Sequence, residues 1–367
     1  MKEGSDLFNT SEAHSIFNFS LNQAKTILEE HVVQGRFFGR SVEITFVSCY
    51  TLLITAGICL NLLISYVIIS NKAVCASQNM LVVNLNISDL ALCLFCMPFT
   101  LVELIFRDWP LGDVLCRIIP FSQASTIFVS AGTISVIAID RHQAIINLIP
   151  IRRQFRKRRF IGYTFAIWMV SVLLSLPICF TKRVEDVGFL SYVIYKKCIE
   201  VWPSNSSKLV YLIVTFVAQL VIPTTVLVVT HFRVKAHLST VNPRKSGHEN
   251  DQHSERTQRE VRRNLRANKV LQNVCLVFTI SWLPWNLINL LADVYPNVMT
   301  PKDLYMTFAI CHIIAMTSAT SNPILYGWLN TNIRRELVRL VQRFSCSSIA
   351  NNVNRQNVSQ HSNNVLE

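Results

Sequence analysis

Apolar residues in this chain gather into long blocks rather than into the short periods of a soluble fold. Windows of about 19 residues give apolar stretches near 44–69, 79–106, 114–139, 160–180, 208–230, 270–294 and 303–328. Each reaches about 20 residues, enough for a helix to cross a bilayer at about 1.5 Å rise per residue. The second is the most interrupted, by Asp89 and Glu103. The pattern predicts an all-α membrane protein: a seven-transmembrane helix bundle over residues 43–329, preceded by a polar tail over 1–42.

The inner loops are short except the third, at about 232–268. Its middle, "NPRKSGHENDQHSERTQRE", mixes charges and holds few apolar residues, which predicts a flexible link. Its end, "REVRRNLRANKV", predicts a basic helical extension of span six. After span seven, Ile333, Leu337, Leu340 and Phe344 recur at intervals of three and four, with arginines on the other face. An amphipathic helix over 330–346, lying on the membrane surface, is expected. Cys346 at its end is a candidate for palmitoylation. The Asn- and Ser-rich residues 347–367 are expected to be disordered.

Composition agrees: 51% of residues are hydrophobic and 16% charged, against about 25% charged in soluble chains. The start, "MKEGSDLFNTSEAH", lacks the apolar core of a signal peptide, so the first span is expected to do the targeting. Charge sets the orientation. Segments on the C-terminal side of the membrane hold 23 of the 35 Lys and Arg and seven acids. The other side holds 12 bases and 14 acids. The positive-inside rule therefore puts the N-terminus outside and the C-terminus in the cytoplasm. The net charge of +13 follows from topology, so no nucleic-acid partner is implied.

Sequons at Asn9, Asn18 and Asn205 fall on outer segments and are glycosylation candidates. Those at Asn86, inside a span, and Asn357, in the tail, are expected to stay unmodified. The 11 cysteines are too scattered for a zinc site or a disulfide framework. Cys116 and Cys198 both lie on the oxidising side and are the expected disulfide, with Cys179 as the competing partner.

Polar side chains inside a span are expensive and mark function. Gln123, Ser130 and Arg141 in span three stand 7 and 11 residues apart, on one helical face. In span two Asp89 and Thr100 are also 11 apart. Trp282, Trp285, Asn289 and Asp293 share a face of span six, and His312 stands ten residues before Asn322 in span seven. Gln219 precedes Pro223 in span five. Two layers emerge. Thr100, Gln123, Gln219, Asn289, Asp293 and His312 are candidates to line an outward-facing pocket. Asn61, Asp89, Ser130 and Asn322 surround a buried carboxylate that needs a proton or a counter-ion, for which Na+ is the candidate. No other cofactor or metal is indicated. Prolines 98, 177, 223, 284 and 323 lie inside spans and offer hinges.

Span by span, residues 40–345 resemble the rhodopsin-like (class A) G-protein-coupled receptors. The resemblance rests on Asn61, "NLNISDL" with Asp89, Cys116, Asp140-Arg141-His142, Trp168, Pro223, "SWLP" with Trp282 and Pro284, and "NPILY" at 322–326. A narrower likeness, in "WPLGDVLCR", "RHQAIIN" and "SNPILYGWLN", is to the neuropeptide Y and invertebrate neuropeptide F receptors. It implies a plasma-membrane receptor for an amidated peptide ending in Arg-Phe-amide or Arg-Tyr-amide. Asp293 would pair with the ligand's arginine, and Gln123, Asn289 and His312 would receive its terminal amide and aromatic residue. The partners implied are a heterotrimeric G protein, Gi/o by family, and arrestin. Asp140, Arg141, Trp282, Pro284, Asn322, Pro323 and Tyr326 would form the activation switch.

The sequence also departs from the family. Leu60 and Ser281 replace a usual Gly and Cys, Leu148 replaces a proline, and Asn264 and Asn268 offer no acid to hold Arg141. Asp140 is then its expected partner, and some ligand-free signalling is expected. Residues 303–328 contain no lysine for a retinal Schiff base, and Gln123 stands where amine receptors carry an aspartate. A transporter is disfavoured by the single buried acid and by the absence of internal repeats. No paired carboxylates, His cluster or nucleophile–base arrangement is spaced for an enzyme.

Overall fold

The structure, a computed structural model, describes residues 38–71, 77–106, 108–146, 153–189, 192–240, 251–295, 299–330, 332–340 and 342. Its seven spans are long and apolar enough to cross a membrane. Span one is a helix over Arg40–Ser70. Span two joins helices Ser77–Ala91 and Met97–Ile105 through a π-turn over Leu92–Cys96. Spans three and four are Gly112–Ile146 and Arg153–Thr181. Span five joins Asn205–Phe216 and Ile222–Thr240 through a second π-turn, Val217–Val221. Span six runs over Asp251–Val294, and span seven over Pro301–Met316 and Ser318–Leu329.

Two differences from the sequence pattern stand out. Span six starts at Asp251, inside the stretch expected to be a flexible link. Glu255 and Arg259 stand four apart there, a spacing that supports helix. The bundle is also not wholly α-helical. Between spans four and five, β1 (Lys182–Phe189) and β2 (Tyr192–Glu200) form an antiparallel hairpin with Val184 opposite Cys198.

The prolines explain where the spans deform. A proline lacks an N–H and crowds the carbonyl four residues earlier. Pro98 and Pro223 each follow a π-turn that contains that carbonyl, on Leu94 and Gln219. Pro323 leaves the Ala319 carbonyl without its helical donor, and Asn61 Nδ2 of span one donates to it at 2.8 Å. Span three also contains Pro120, which the sequence reading did not single out.

Span three is the axis of the bundle and packs against spans two, four, five and six and against β1. Close approaches depend on small residues. A Cβ at Gly57 would overlap the Cys93 sulfur of span two, and one at Gly327 would lie 3.2 Å from Ile64 Cδ1 and 3.3 Å from Leu337 Cδ1. Lipid-facing positions such as Leu52, Phe165, Phe180 and Phe232 are exposed and apolar, as a membrane solvent requires.

Asn330 ends span seven and starts the next helix, its Oδ1 accepting from the Asn332 and Ile333 amides. The helix over 332–340 buries Ile333 completely and rests Leu337 and Leu340 on the core. Arg334, Arg335 and Arg339 point outward. Of the amphipathic helix expected over 330–346, the described residues 332–340 are helical with their apolar side on the core. Asn9, Asn18, Phe344, Cys346, the tail over 347–367 and the side chain of Arg141 lie outside what the structure describes.

Candidate functional site

Two polar layers cross the bundle, one beneath the hairpin and one deeper. The deeper layer centres on Asp89, which is 1% exposed. Asn322 Nδ2 donates to Asp89 Oδ2 at 3.0 Å, tying span seven to span two. Ser130 of span three bonds Ser88 at 2.9 Å, beside Asp89 in sequence. Asn61 spends its amide N–H groups on the Gly57 and Ala319 carbonyls. Its Oδ1 and that of Asn322 are buried without a donor. The four residues read from the sequence as one cluster therefore join three interhelical contacts. Among the described residues no three His, Cys, Asp or Glu side chains group as a metal centre would need.

Trp282, 1% exposed, donates from Nε1 to Ser318 Oγ at 3.1 Å, so the indole is fixed across to span seven beside Asn322. Pro284 and Pro323 flank this contact on the two helices. Tyr326 is buried one turn below Asn322, and Asp140 lies half-buried near the far end of span three. One polar contact missed in the sequence, Trp168 Nε1 to Asn84 Oδ1 at 2.9 Å, holds span four to span two. Asn86 is fully buried and its Nδ2 donates to Ser65 Oγ at 3.0 Å.

The outer layer is built around His312, 3% exposed. Gln123 Nε2 of span three donates to His312 Nε2 at 3.1 Å. The other ring nitrogen, Nδ1, then carries the proton and donates to the Tyr50 hydroxyl of span one at 2.6 Å. The Trp285 ring meets the imidazole edge-on at 5.0 Å. Thr100 Oγ1 shares its proton between the Cys96 carbonyl and Gln123 Oε1, at 3.0 and 3.4 Å. Four spans thus meet on one histidine. Tyr50, absent from the sequence reading, stands 11 residues before Asn61 and so shares its face.

Gln219 sits in the π-turn of span five, 5% exposed. Its Oε1 accepts from Asn286 Nδ2 at 3.4 Å, while its Nε2 is buried without an acceptor. Asn286 and Asn289 turn their amide N–H groups back onto the Trp282 and Trp285 carbonyls, at 2.9 and 2.7 Å. Asp293, four residues beyond Asn289 at the end of span six, pairs with Lys208 of span five, Oδ1 to Nζ at 2.6 Å. Thr100, Gln123 and His312 are therefore joined in a chain, with Gln123 between the other two. Gln219 and Asn289 lie along spans five and six, and Asp293 stands at the rim.

The hairpin overhangs this end. Cys116 and Cys198 are disulfide-bonded, with Cα atoms 5.6 Å apart, whereas Cys179 is free. The Lys196 and Val184 amides donate to Asp108 and Asp113, and Trp109 N donates to the Lys196 carbonyl. Glu200, at the end of β2, bonds Lys182 Nζ at 3.4 Å and accepts from Trp202 Nε1 at 3.2 Å. Burial works against its charge, but Lys182, the Trp202 N–H and Lys208 together hold its carboxyl below the usual carboxylate range. Asn205 is exposed at the start of span five, while Ser207 of its sequon is engaged in a capping box with Ser204.

A family model described as 7 transmembrane receptor (rhodopsin family) matches residues 19–326. The neuropeptide F receptor of Drosophila melanogaster is 34% identical over 321 residues, covering 83% of this chain and 64% of that protein. The human neuropeptide Y receptor type 2 is 30% identical, covering 80% of this chain and 75% of its own length. The neuropeptide Y receptor type 6 of Oryctolagus cuniculus is 30% identical over 82% of this chain and 81% of its own length. These relatives are receptors rather than enzymes. With seven spans in place and most of its length matched, the chain belongs to the rhodopsin-like family of seven-transmembrane receptors, multi-pass proteins of the plasma membrane.

Proposed function

We propose that this chain is a cell-surface receptor for an amidated peptide of the neuropeptide Y/F kind, ending in Arg-Phe-amide or Arg-Tyr-amide. The observation that carries the reading is the carboxylate of Asp293, placed at the rim above a floor of amide and imidazole groups. A guanidinium makes two parallel hydrogen bonds to such a carboxylate, a geometry other ligand cations do not offer. The unpartnered Nε2 of Gln219 offers an N–H to a ligand carbonyl. Asn289 uses one amide N–H on the Trp285 carbonyl, and its Oδ1 can accept from a ligand amide. His312 is too buried to meet more than a deeply inserted group. Its main work is to orient Gln123 through the bond described above.

The N-terminus faces outside and the C-terminus the cytoplasm, in keeping with the excess of Lys and Arg on the C-terminal segments. Ligand contacts in the outer layer bias a two-state bundle. The Trp282–Ser318 contact and the Asp89–Asn322 contact lie between that layer and the inner end, which carries Asp140 and Arg141 in sequence and would meet a heterotrimeric G protein, Gi/o by family, and afterwards arrestin. Na+ suits the Asp89 layer: the residues present are hard oxygen ligands, and the Asn322 Oδ1 there is buried without a donor. Bound there, the ion would hold spans two, three and seven together through Asp89, Ser130 and Asn322.

Peptide-driven GTPγS exchange in membranes carrying the receptor tests the reading. A synthetic peptide ending in Arg-Phe-amide is expected to stimulate exchange, and Asp293→Ala at equal surface expression to raise its half-maximal concentration at least about thirtyfold. A response untouched by that substitution would remove Asp293 from the site.

A further inference from the structure

Lys208 and Asp293 are paired from positions where each helix works against the charge it carries. Asp293 lies in the last turn of span six, where the helix already presents partial negative charge. Lys208 lies in the first turn of span five, where the partial charge is positive. Neither side chain gains from its own helix, and both remain in reach of water, with the lysine 34% and the aspartate 15% exposed. Their separation of 2.6 Å nonetheless closes the aspartate to any other cation approaching Oδ1.

The lysine has a second acid near it. Glu200 ends β2, five residues before the first residue of span five, and Lys208 is among the cations that favour its ionised form. Lys182 already holds Glu200 Oε1, so that carboxylate is shared rather than empty. An ammonium on a long flexible side chain can pass from one carboxylate to another without a change of backbone.

We infer that Lys208 is an internal competitor for the ligand's cation: it occupies Asp293 in the free receptor and swings toward Glu200 when a guanidinium takes its place. This holds only where Asp293 is the guanidinium's seat, as proposed above. Two consequences follow from competition. The free receptor's affinity is lowered by the fraction of time the seat is taken. The acid that accepts the displaced lysine contributes to ligand affinity without touching the ligand.

Competition binding on full-length receptor in cell membranes separates the possibilities, with a synthetic heptapeptide ending in Arg-Phe-amide and its citrulline analogue as probes. Lys208→Met is expected to tighten binding of the arginine peptide by about fivefold, the scale of a half-exposed ion pair. Binding of the uncharged citrulline peptide should not change. Glu200→Gln should weaken the arginine peptide when Lys208 is present and have no effect in the Lys208→Met background. Lys208→Gln repeats the test with a polar side chain in case methionine perturbs folding. Unchanged or weaker binding in both lysine variants, with Asp293→Ala still weakening it, overturns the competitor and leaves the seat standing. Equal tightening of the citrulline peptide also overturns it, because the effect is then not one of charge. If Asp293→Ala changes nothing, or the wild type binds neither peptide, the seat itself fails and the competitor with it.

Discussion

His312 shows how far a single residue can be read from sequence. Its place in an apolar span marks it as either a ligand contact or a packing residue, and the structure shows it bonded on both ring nitrogens. His312→Ala leaves the Gln123 amide and Tyr50 hydroxyl without that partner, a loss of about 1–3 kcal/mol. Purified receptor in detergent should melt several degrees lower, whereas Gln123→Ala, which leaves the Tyr50 contact, should show a smaller drop. Asn61, Asp89 and Asn322 were legible because each is a polar side chain that a membrane makes expensive. The Lys208–Asp293 pair was not, since nothing in a sequence says which rim charges meet across 85 residues. Trp168 was visible as a motif residue, but its partner Asn84 lies on another span.

At the scale of elements, apolar length alone located all seven membrane-crossing stretches to within six residues of their ends, although span six continues as helix back to Asp251. The hairpin was invisible to that measure, being held by register, by the Cys116–Cys198 bond and by side chains of the preceding loop. The π-turns were equally hidden, although each stands just ahead of a proline. Packing between elements carries its own test at Gly327. Gly327→Leu would drive a side chain into Ile64 and Leu337, separating the surface helix from span one at a loss of about 1–3 kcal/mol. Hydrogen exchange over 332–340 should quicken in that variant, while the hairpin's exchange stays as in the wild type.

Across the whole molecule, the two polar layers are joined by the stretch of spans six and seven that carries Trp282, Ser318 and Asn322. In the proposed reading, a signal from rim to inner end passes through contacts that the Asp89 layer also shares. Asp89→Asn keeps the shape of the side chain but removes its charge. Agonist affinity in the wild type is expected to fall when choline in the buffer is replaced by sodium, and in Asp89→Asn to be the same in both. A sodium effect that survives the substitution would place the ion elsewhere. The overall architecture was the most legible property of this chain, because the bilayer constrains length and hydropathy more strictly than water constrains a soluble core.

The π-turn at Val217–Val221 makes span five two helices sharing one axis but not one phase. One residue more than a regular helix needs is held there, so everything on the rim side is turned by about 100° from where an unbroken helix would put it. Lys208 lies on that side. Deleting Ala218 should therefore turn Lys208 away from Asp293 and carry the rim half of the span round, while the half beyond Pro223 keeps its packing. Such a variant is expected to reach the surface and lose peptide binding.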